Sequence, residues 1–256
     1  MGTVILSAPR NHATKIGAAS PEHESACTRV TALFQERWLQ SYVGRKLRSD
    51  PIFPAAFDLL RESDQPILDV GCGVGLLSFY LRERNFLLPI TGLDRDGRKI
   101  ERALTVATNN YRDLTFIERD VCESFSLTGT IVLFDLLHYL APTDQTNLLD
   151  RLARQVAPGG LLAIRDCPRD RNARFWMTNL AECFAQMITW NLSAPLHFPP
   201  RERIFAAFPE TEFSRNVRPL WGGTPFNNHL FIFRRHGAAT APATATHSET
   251  SPPPER

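Results

Sequence analysis

Three glycines at alternating positions follow one short apolar run and precede another. The run Ile67–Val70 leads into Gly71, Gly73 and Gly75, and Asp69 lies two residues before the first glycine. Glycine has no Cβ, so a loop of this composition can take positive φ angles and let its backbone approach a ligand closely. Such a loop at the carboxyl end of the first strand of an open α/β sheet is typical of a nucleotide-like cofactor site.

The spacing of the three glycines distinguishes between cofactor classes. Dinucleotide-binding loops have the order G-x-G-x-x-G, in which the third glycine comes one position later than in this chain. Here the order is D-x-G-x-G-x-G, read from Asp69 to Gly75. The spacing therefore disfavours an NAD-dependent oxidoreductase, which we keep as an alternative.

Alternating apolar runs and amphipathic stretches predict the elements that hold this loop. Short apolar runs predict five strands with helices between them, and two closing strands follow nearer the C-terminus. The alternation predicts an α/β fold of the Rossmann-like, doubly wound type, with a mostly parallel seven-stranded sheet. The predicted strands are 67–70, 89–93, 114–117, 130–134, 161–165, 212–217 and 229–234, and the predicted helices between and after them are 76–84, 97–110, 143–156, 172–190 and 201–208.

The sequence predicts one domain between two disordered ends. Residues 1–20 mix small and polar residues without periodicity, and residues 237–256 are rich in Ala, Thr and Pro. The N-terminal part of the domain is predicted to contain two helices that separate at Asp50-Pro51. The domain, residues 21–236, divides into a helical cap (21–62), a cofactor-binding core (66–166) and substrate-side helices with the closing strands (167–236).

In this context, the segment LDVGCGVG resembles the first motif of the class I S-adenosylmethionine-dependent methyltransferases. Four later segments, ITGLDRD, FIERDV, FDLLHYL and VAPGGLLAI, match that family in the same order along the chain. The resemblance covers residues 66–166 and rests on the succession of motifs. It implies that the chain binds S-adenosylmethionine and transfers its methyl group.

The resemblance also implies roles for individual side chains. Asp94 matches the acid that accepts hydrogen bonds from the ribose hydroxyls, and one carboxylate can accept from both hydroxyls of a diol. Asp120 matches the position that holds the adenine amino group, with Val121 beside the ring, and Asp135 and His138 match positions near the methionine end of the cofactor and the substrate. The full set of expected cofactor-binding residues is Asp69, Gly71, Gly73, Gly75, Asp94, Asp120, Val121 and Asp135.

Methyl transfer from a sulfonium needs few catalytic side chains, because the methyl group is already activated and the protein mainly aligns atoms and excludes water. A hydroxyl acceptor also needs a base. His138 is the candidate, since imidazole titrates near neutral pH, although a histidine in this motif is often structural in the family. His197 and His229 are its rivals.

Residues outside the common core are expected to select a small, apolar or aromatic acceptor. The candidates are Tyr42 in the basic segment WLQSYVGRKLRSDP, Trp176 in the amphipathic stretch 172–190, and Trp221 and Asn227 in WGGTPFNNHL. A structural alternative exists for each segment: a solvated helix face for the one with Tyr42, core packing for the one with Trp176, and a hairpin connection for the one with Trp221 and Asn227. The first and last of these segments are similar to small bacterial methyltransferases of aryl or polyene pigment biosynthesis, which suggests secondary metabolism. A carrier protein that presents the acceptor is left open.

Composition argues against several other classes of protein. The net charge of +2 gives no strongly basic surface for a nucleic acid, and no apolar run approaches the roughly 18 residues of a membrane span. The five cysteines are scattered without metal-ligand spacing, so we expect no metal and a cytoplasmic location. The sequence leaves open the oligomeric state and the alternative that the chain is a non-catalytic homologue that binds the cofactor.

Overall fold

The computed structural model describes residues 20–125, 127–170, 172–188 and 195–237, without the side chains of 181–188. Nearly all of the two ends that were predicted to be disordered lie outside these ranges, so that prediction stays untested. None of the described helices is long and apolar enough to cross a membrane.

A seven-stranded mixed sheet forms the centre of the fold. Its strands are β1 (Ile67–Val70), β2 (Ile90–Asp94), β3 (Leu114–Glu118), β4 (Thr130–Phe134), β5 (Leu161–Asp166), β6 (Phe213–Pro219) and β7 (His229–Arg235). They are arranged in the order β3-β2-β1-β4-β5-β7-β6. The first five strands are parallel, and β7 is antiparallel to both β5 and β6. The predicted fold class is confirmed, and each predicted strand lies within one or two residues of its observed bounds.

Helices cover both faces of this sheet. One apolar cluster packs the first five helices against one face, and a second cluster packs the sixth and eighth helices against the other. Burial from both sides explains why the central strands are continuous apolar runs without alternation. The helices are α1 (Pro21–Ala32), α2 (Arg37–Ser49), α3 (Ile52–Leu60), α4 (Leu76–Glu83), α5 (Gly97–Asn110), α6 (Pro142–Gln155), α7 (Ala173–Ile188) and α8 (Arg201–Ala206).

The strand register brings the expected site residues to one edge of the sheet. Val70, the last residue of β1, is aligned with Leu93 of β2 and with Leu133 of β4. The chain segments after these three strands therefore leave the sheet side by side. The strand order reverses between β1 and β4, and ligands of open α/β sheets bind in the crevice at such a point.

The helical cap differs from the prediction, because three helices form where two were expected. An additional break separates α1 from α2, and Phe34 within it is buried. The Gln40 side chain donates to the carbonyl of Phe34, so the break does not leave this backbone group unpaired. The two helices then pack closely at Gly44, where a Cβ would lie 3.3 Å from Thr31 Oγ1. The apolar residues of this segment recur at helical spacing because they lie on two short helices that pack against each other.

Candidate cofactor and active site

The glycine loop turns from β1 into α4 through left-handed backbone. The φ angles of Gly71, Gly73 and Gly75 are 82°, 57° and 80°. A Cβ on Gly75 would lie 2.8 Å from the ring of Phe116, whereas a Cβ on Gly73 would meet no heavy atom within 4 Å. Gly75 is thus required by packing inside the fold. Gly73 exposes bare backbone to open space, which is the feature that a close-fitting ligand uses.

Asp94, the last residue of β2, is held directly against this loop. Its Oδ2 accepts a hydrogen bond from the backbone N–H of Gly73 at 2.9 Å, and its Oδ1 accepts from the N–H of Asp96 at 2.9 Å. An ionised carboxylate has about four lone-pair sites, so two further donors can bind. The structure places Asp94 beside the loop, and its expected role with a ribose stays a prediction.

Asp69 is a buried carboxyl group whose Oδ2 has no hydrogen-bond partner among the described residues. Burial, reinforced by the negative charge of Asp94, raises the pKa of Asp69 to about 7. A buried carboxylate without a partner is costly, so this position favours a ligand that brings a cationic donor. The ammonium group of S-adenosylmethionine is such a donor, and the described residues around the loop fit this cofactor.

Asp120 and Val121 follow β3 at the same edge of the sheet. Glu118, two residues before Asp120, is aligned with Asp94 of β2. The Asp120 Oδ1 accepts from the N–H of Cys122 at 2.8 Å, which fixes the carboxylate in a turn, and Val121 is buried. The structure brings both residues near the end of β2, and their expected contacts with adenine stay predictions.

Asp135 follows β4 and is bound in an ion cluster. Its backbone is left-handed, with φ at 53°, and its Oδ1 accepts from Arg165 Nε at 2.7 Å while its Oδ2 contacts Arg165 Nη2. Arg165 also contacts Asp50, and Lys46 Nζ lies 3.0 Å from Asp50 Oδ2. Arg165 and Asp50 were missed by the sequence analysis. The only signal was an arginine near the end of an otherwise apolar strand run, LLAIRD.

His138 is buried rather than open to an acceptor. It is 3% exposed, its Nδ1 lies 3.0 Å from Asp166 Oδ1, and its ring stacks on Phe198 at 5.4 Å between centroids. Its carbonyl accepts from the N–H of His197 at 2.8 Å. This burial weighs against His138 as the base for an acceptor, and that role stays a prediction.

His229 is also committed to contacts within the protein. Arginine has only donors, so the 2.7 Å contact from Arg201 Nη2 makes His229 Nε2 an acceptor, and Nδ1 donates to the carbonyl of Asn227 at 2.9 Å. These contacts require the neutral ring. Burial, together with the charge of Arg201, lowers the pKa of His229 and keeps it neutral.

The four predicted acceptor residues have very different environments. Tyr42 and Trp176 are exposed, whereas Asn227 is fully buried, and its amide contacts Pro168 and Asn172. Trp221 lies under the guanidinium group of Arg174, 4.5 Å from the ring centroid, and its Nε1 is buried without a partner among the described residues. Because β6 runs parallel to β5, the connection that carries Trp221 lies at the carboxyl edge of the sheet. Asn227 therefore supports this connection, and its contact with an acceptor stays a prediction.

Helix α7 presents an apolar stripe to solvent. Trp176, Met177 and Leu180 are 63%, 47% and 53% exposed, whereas Phe175 is buried. Core packing, the structural alternative given for Trp176, is therefore wrong. The reason is that α7 begins beyond the end of β5, and its first turns are hydrogen-bonded on one side to the connection between β6 and β7.

A surface depression of about 710 Å³ lies between α5 and the free edge of β3, lined by Leu104, Thr108 and Phe116 among others. Its lining includes none of the loop glycines, so this depression does not coincide with the predicted cofactor site. Among the described residues, no group of three or more His, Cys, Asp or Glu side chains is arranged to hold a metal. Cys27, Cys72, Cys122 and Cys167 are free thiols.

Comparison with known proteins identifies the family. A family model described as a methyltransferase domain matches residues 39–217, which include the glycine loop and the ion cluster. The chain belongs to the S-adenosylmethionine-dependent methyltransferases. This membership confirms the cofactor and decides against the NAD-dependent oxidoreductase.

Several known methyltransferases are similar to this one. The chain is 30% identical over 176 residues to an uncharacterized methyltransferase of Mycobacterium tuberculosis, covering 65% of this chain and 83% of that protein. The magnesium protoporphyrin IX methyltransferase of Synechocystis, solved with bound S-adenosylmethionine, has a TM-score of 0.56 at 15% identity, over 82% of this chain and 89% of that one. An N-methyltransferase from Bradyrhizobium japonicum, solved with S-adenosylhomocysteine, has a TM-score of 0.53 at 16% identity, over 82% and 98%. These two structures show the shared fold.

Cofactor binding to the methyltransferase is expected to release protons near neutral pH. With a pKa of about 7, Asp69 is half protonated at pH 7, and an ammonium group beside it lowers that pKa. We expect release of roughly half a proton per bound S-adenosylhomocysteine at pH 7, measured by calorimetry in buffers of different ionisation enthalpy. The control Asp69→Asn removes the release. Equal binding heats in all buffers, after correction for dilution, would contradict this assignment.

The same pKa shift predicts how Asp69 affects the stability of the ligand-free protein. The pKa is raised from 3.8, so the favourable contribution is present below that value and is lost as the pH rises through about 7. Between pH 4 and pH 7, the free energy of unfolding of Asp69→Asn should therefore fall less than that of the wild type.

Alanine at two of the glycines is expected to separate folding from cofactor binding. Gly75→Ala forces a left-handed alanine against Phe116, so we expect the free energy of unfolding to fall by about 2 kcal/mol or more. Gly73→Ala should lower the free energy of unfolding by about 1 kcal/mol, because only its left-handed backbone is unfavourable. Its methyl group, however, fills the space that the cofactor needs. Denaturant unfolding and calorimetric titration measure the two effects. Wild-type affinity for S-adenosylhomocysteine in Gly73→Ala would show that the cofactor lies elsewhere.

Proposed function

We propose that this methyltransferase acts on a small acceptor of apolar or aromatic character, which binds at the carboxyl edge of the sheet beside α7. The observation that carries the proposal is the exposed stripe of Trp176, Met177 and Leu180. Large apolar side chains that cluster on a surface beside a cofactor site favour a ligand that covers them. Both solved relatives carry names of methyltransferases, one of them acting on a porphyrin, and a small-molecule acceptor is consistent with them.

In this proposal, the cofactor lies across the ends of β1, β2 and β3. Asp94 accepts from the ribose hydroxyls, Asp120 receives the adenine amino group, and Val121 contacts the ring. Asp69 faces the ammonium group, and the bare backbone of Gly73 allows the cofactor to approach. The two hydrogen bonds that already fix Asp94, together with its partly buried position, support this placement.

The contribution of the protein to the reaction is alignment and the exclusion of water. S-Adenosylmethionine supplies an activated methyl group on its sulfonium, and the nucleophile of the acceptor attacks it in line. Trp221, whose ring is fixed by Arg174 and whose Nε1 is free to donate among the described residues, is proposed to orient the acceptor. Tyr42 is proposed to close the opposite side from α2. A carrier protein that presents the acceptor is compatible with this open edge.

The decisive test is calorimetric titration of the methyltransferase with S-adenosylmethionine, S-adenosylhomocysteine and NAD. Loss of charged hydrogen bonds is worth about 1.5–3 kcal/mol, so Asp94→Ala should weaken binding of both adenosyl ligands by about 10-fold to 100-fold. Asp96→Ala is the matched control, because Asp96 is a nearby acid that caps α5 through Arg98. The control should lower stability by about 1 kcal/mol and retain affinity. Binding of neither adenosyl ligand would overturn the proposed cofactor site.

The acceptor site is tested with Trp176→Ala. Because Trp176 is exposed, we expect unchanged stability and a KM for hydroxyaryl acceptors that rises about 10-fold, in line with loss of a buried aromatic contact in the complex. Leu87→Ala is the control, since Leu87 is 78% exposed at the opposite edge of the sheet. Steady-state kinetics with free and with carrier-linked acceptors measure the effect. An equal change of KM in both variants would argue against α7 as part of the acceptor site.

A further inference from the structure

Four charged side chains form one compact cluster where the helical cap meets the sheet. They are Arg165 and Asp135 on the sheet side and Asp50 and Lys46 on the cap side, and we call them the latch cluster. Two positive and two negative groups balance within it. Arg165 is 3% exposed and is therefore almost wholly dependent on the two carboxylates for compensation.

The sheet side of the latch cluster is rigid. Arg165 lies in β5, aligned with Phe134 of β4, and its carbonyl accepts from the N–H of Asp135 at 2.9 Å. The Arg165 side chain binds the carboxylate of the same residue through Nε and Nη2. Backbone and side chain together hold Asp135 in its left-handed conformation, so the Asp135 carboxylate has one orientation at the carboxyl edge.

The cap side of the latch cluster is built on the junction between α2 and α3. Asp50 Oδ1 accepts from the N–H of Ile52 at 3.1 Å and also contacts Arg165 Nη1, while Oδ2 lies 3.0 Å from Lys46 Nζ. Burial alone would raise the pKa of Asp50, but the charges of Arg165 and Lys46 outweigh it and hold that pKa well below its usual range. Asp50 is therefore ionised at any working pH.

Helix α2 is held at both of its ends, by α5 near its start and by the sheet at its other end. Near its start, the ring of Trp38 lies 5.7 Å from the guanidinium carbon of Arg102, and Glu36 lies 3.8 Å from Arg102 Nη2. Arg102 is in α5, which follows β2, whereas the other end of α2 meets β4 and β5 through the latch cluster. From β2 to β5 there are three strand spacings, about 14 Å, and the thirteen residues of α2 span about 20 Å. The length of α2 is therefore enough to reach from α5, past the end of β1 where the glycine loop lies, to the latch cluster.

We propose that Arg165 is a positioning residue that latches the helical cap over the bound cofactor. When the latch is closed, α2 covers the glycine loop and Asp135 is fixed beside the reacting end of the cofactor. When Asp50 and Lys46 move away with the cap, Arg165 keeps Asp135 as its partner, so the cluster opens without leaving a buried charge alone. This inference rests on the proposed cofactor site and adds the device that retains the cofactor there.

Two variants test the latch from its two sides. Asp50→Asn removes the negative charge on the cap side without changing the size of the side chain, and Arg165→Met removes the charge at the centre of the cluster. If Arg165→Met fails to fold, Asp50→Asn still tests the latch. The control is Arg82→Met, because Arg82 is a half-buried arginine that donates to the carbonyls of Leu88 and Asp113 at 2.9 and 3.0 Å. These carbonyls lie at the opposite edge of the sheet.

The first measurement is hydrogen exchange of the ligand-free protein. In Asp50→Asn, the amides of α2 should exchange about 10-fold faster than in the wild type, while those of α4 and β1 stay unchanged. In Arg82→Met, α2 should behave as in the wild type. Because no ligand is present, this measurement tests the latch even if S-adenosylhomocysteine does not bind. Unchanged exchange of α2 in Asp50→Asn, or a uniform increase throughout the sheet, would overturn the proposal.

The second measurement is the dissociation rate of S-adenosylhomocysteine by stopped-flow competition. We expect dissociation from Asp50→Asn and from Arg165→Met to be at least about 10-fold faster, with partial recovery in Arg165→Lys, which keeps the charge. Arg82→Met should release the ligand at the wild-type rate. Faster exchange of α2 with unchanged ligand release would show a contact that does not retain the cofactor, and the proposal would be wrong. Absence of any binding in the wild type would instead refute the proposed function.

Discussion

The left-handed turn of the glycine loop is the constraint on which the rest of this site depends. A strand that is buried along its whole length ends at Val70, and within five residues the chain must start α4 on one face of the sheet. Three positive φ angles make that turn. The same turn directs the N–H of Gly73 at Asp94 and leaves Asp69 buried beneath the loop. The turn, Asp94 and the buried Asp69 are thus one structural unit.

This unit holds two carboxyl groups close together in a site of low polarity. Burial and the negative charge of Asp94 both disfavour the ionised form of Asp69, and the cationic cofactor proposed for this site would relieve that cost. Functional sites commonly hold such locally unfavourable arrangements, which the surrounding packing maintains. Here the packing is the contact of Gly75 with Phe116 and of Gly92 with Cys72, where a Cβ would lie 2.8 Å from Phe116 Cζ and from Cys72 Sγ respectively. The affinity for a cationic cofactor that we propose for this site and the lower stability that we predict without it have the same physical origin.

The sequence predicted those features of the fold that depend on short stretches of the chain. The strands, the sheet class and the cofactor loop could be predicted because apolar runs, glycine spacing and the order of the motifs are visible within short windows. Arg165 could not, because its partner Asp50 is 115 residues away and only the folded chain brings them together. The exposure of Trp176 could not be predicted either, because helical periodicity shows that one face differs from the other without showing whether core or ligand covers it. The burial of His138 depends on Phe198, which comes from a distant segment.

The position of β7 has a consequence for how this protein is made. β7 is the last of the described strands along the chain, yet it lies between β5 and β6 inside the sheet. When the ribosome has delivered every residue of the predicted cofactor site, from Asp69 to Asp135, and then β5, that strand still has an unpaired edge until residue 235 has emerged. Such an edge pairs readily with other chains. The residues of the predicted cofactor site are therefore synthesised long before β7 pairs with β5. Until that pairing forms, the exposed edge of β5 makes the nascent chain prone to aggregation.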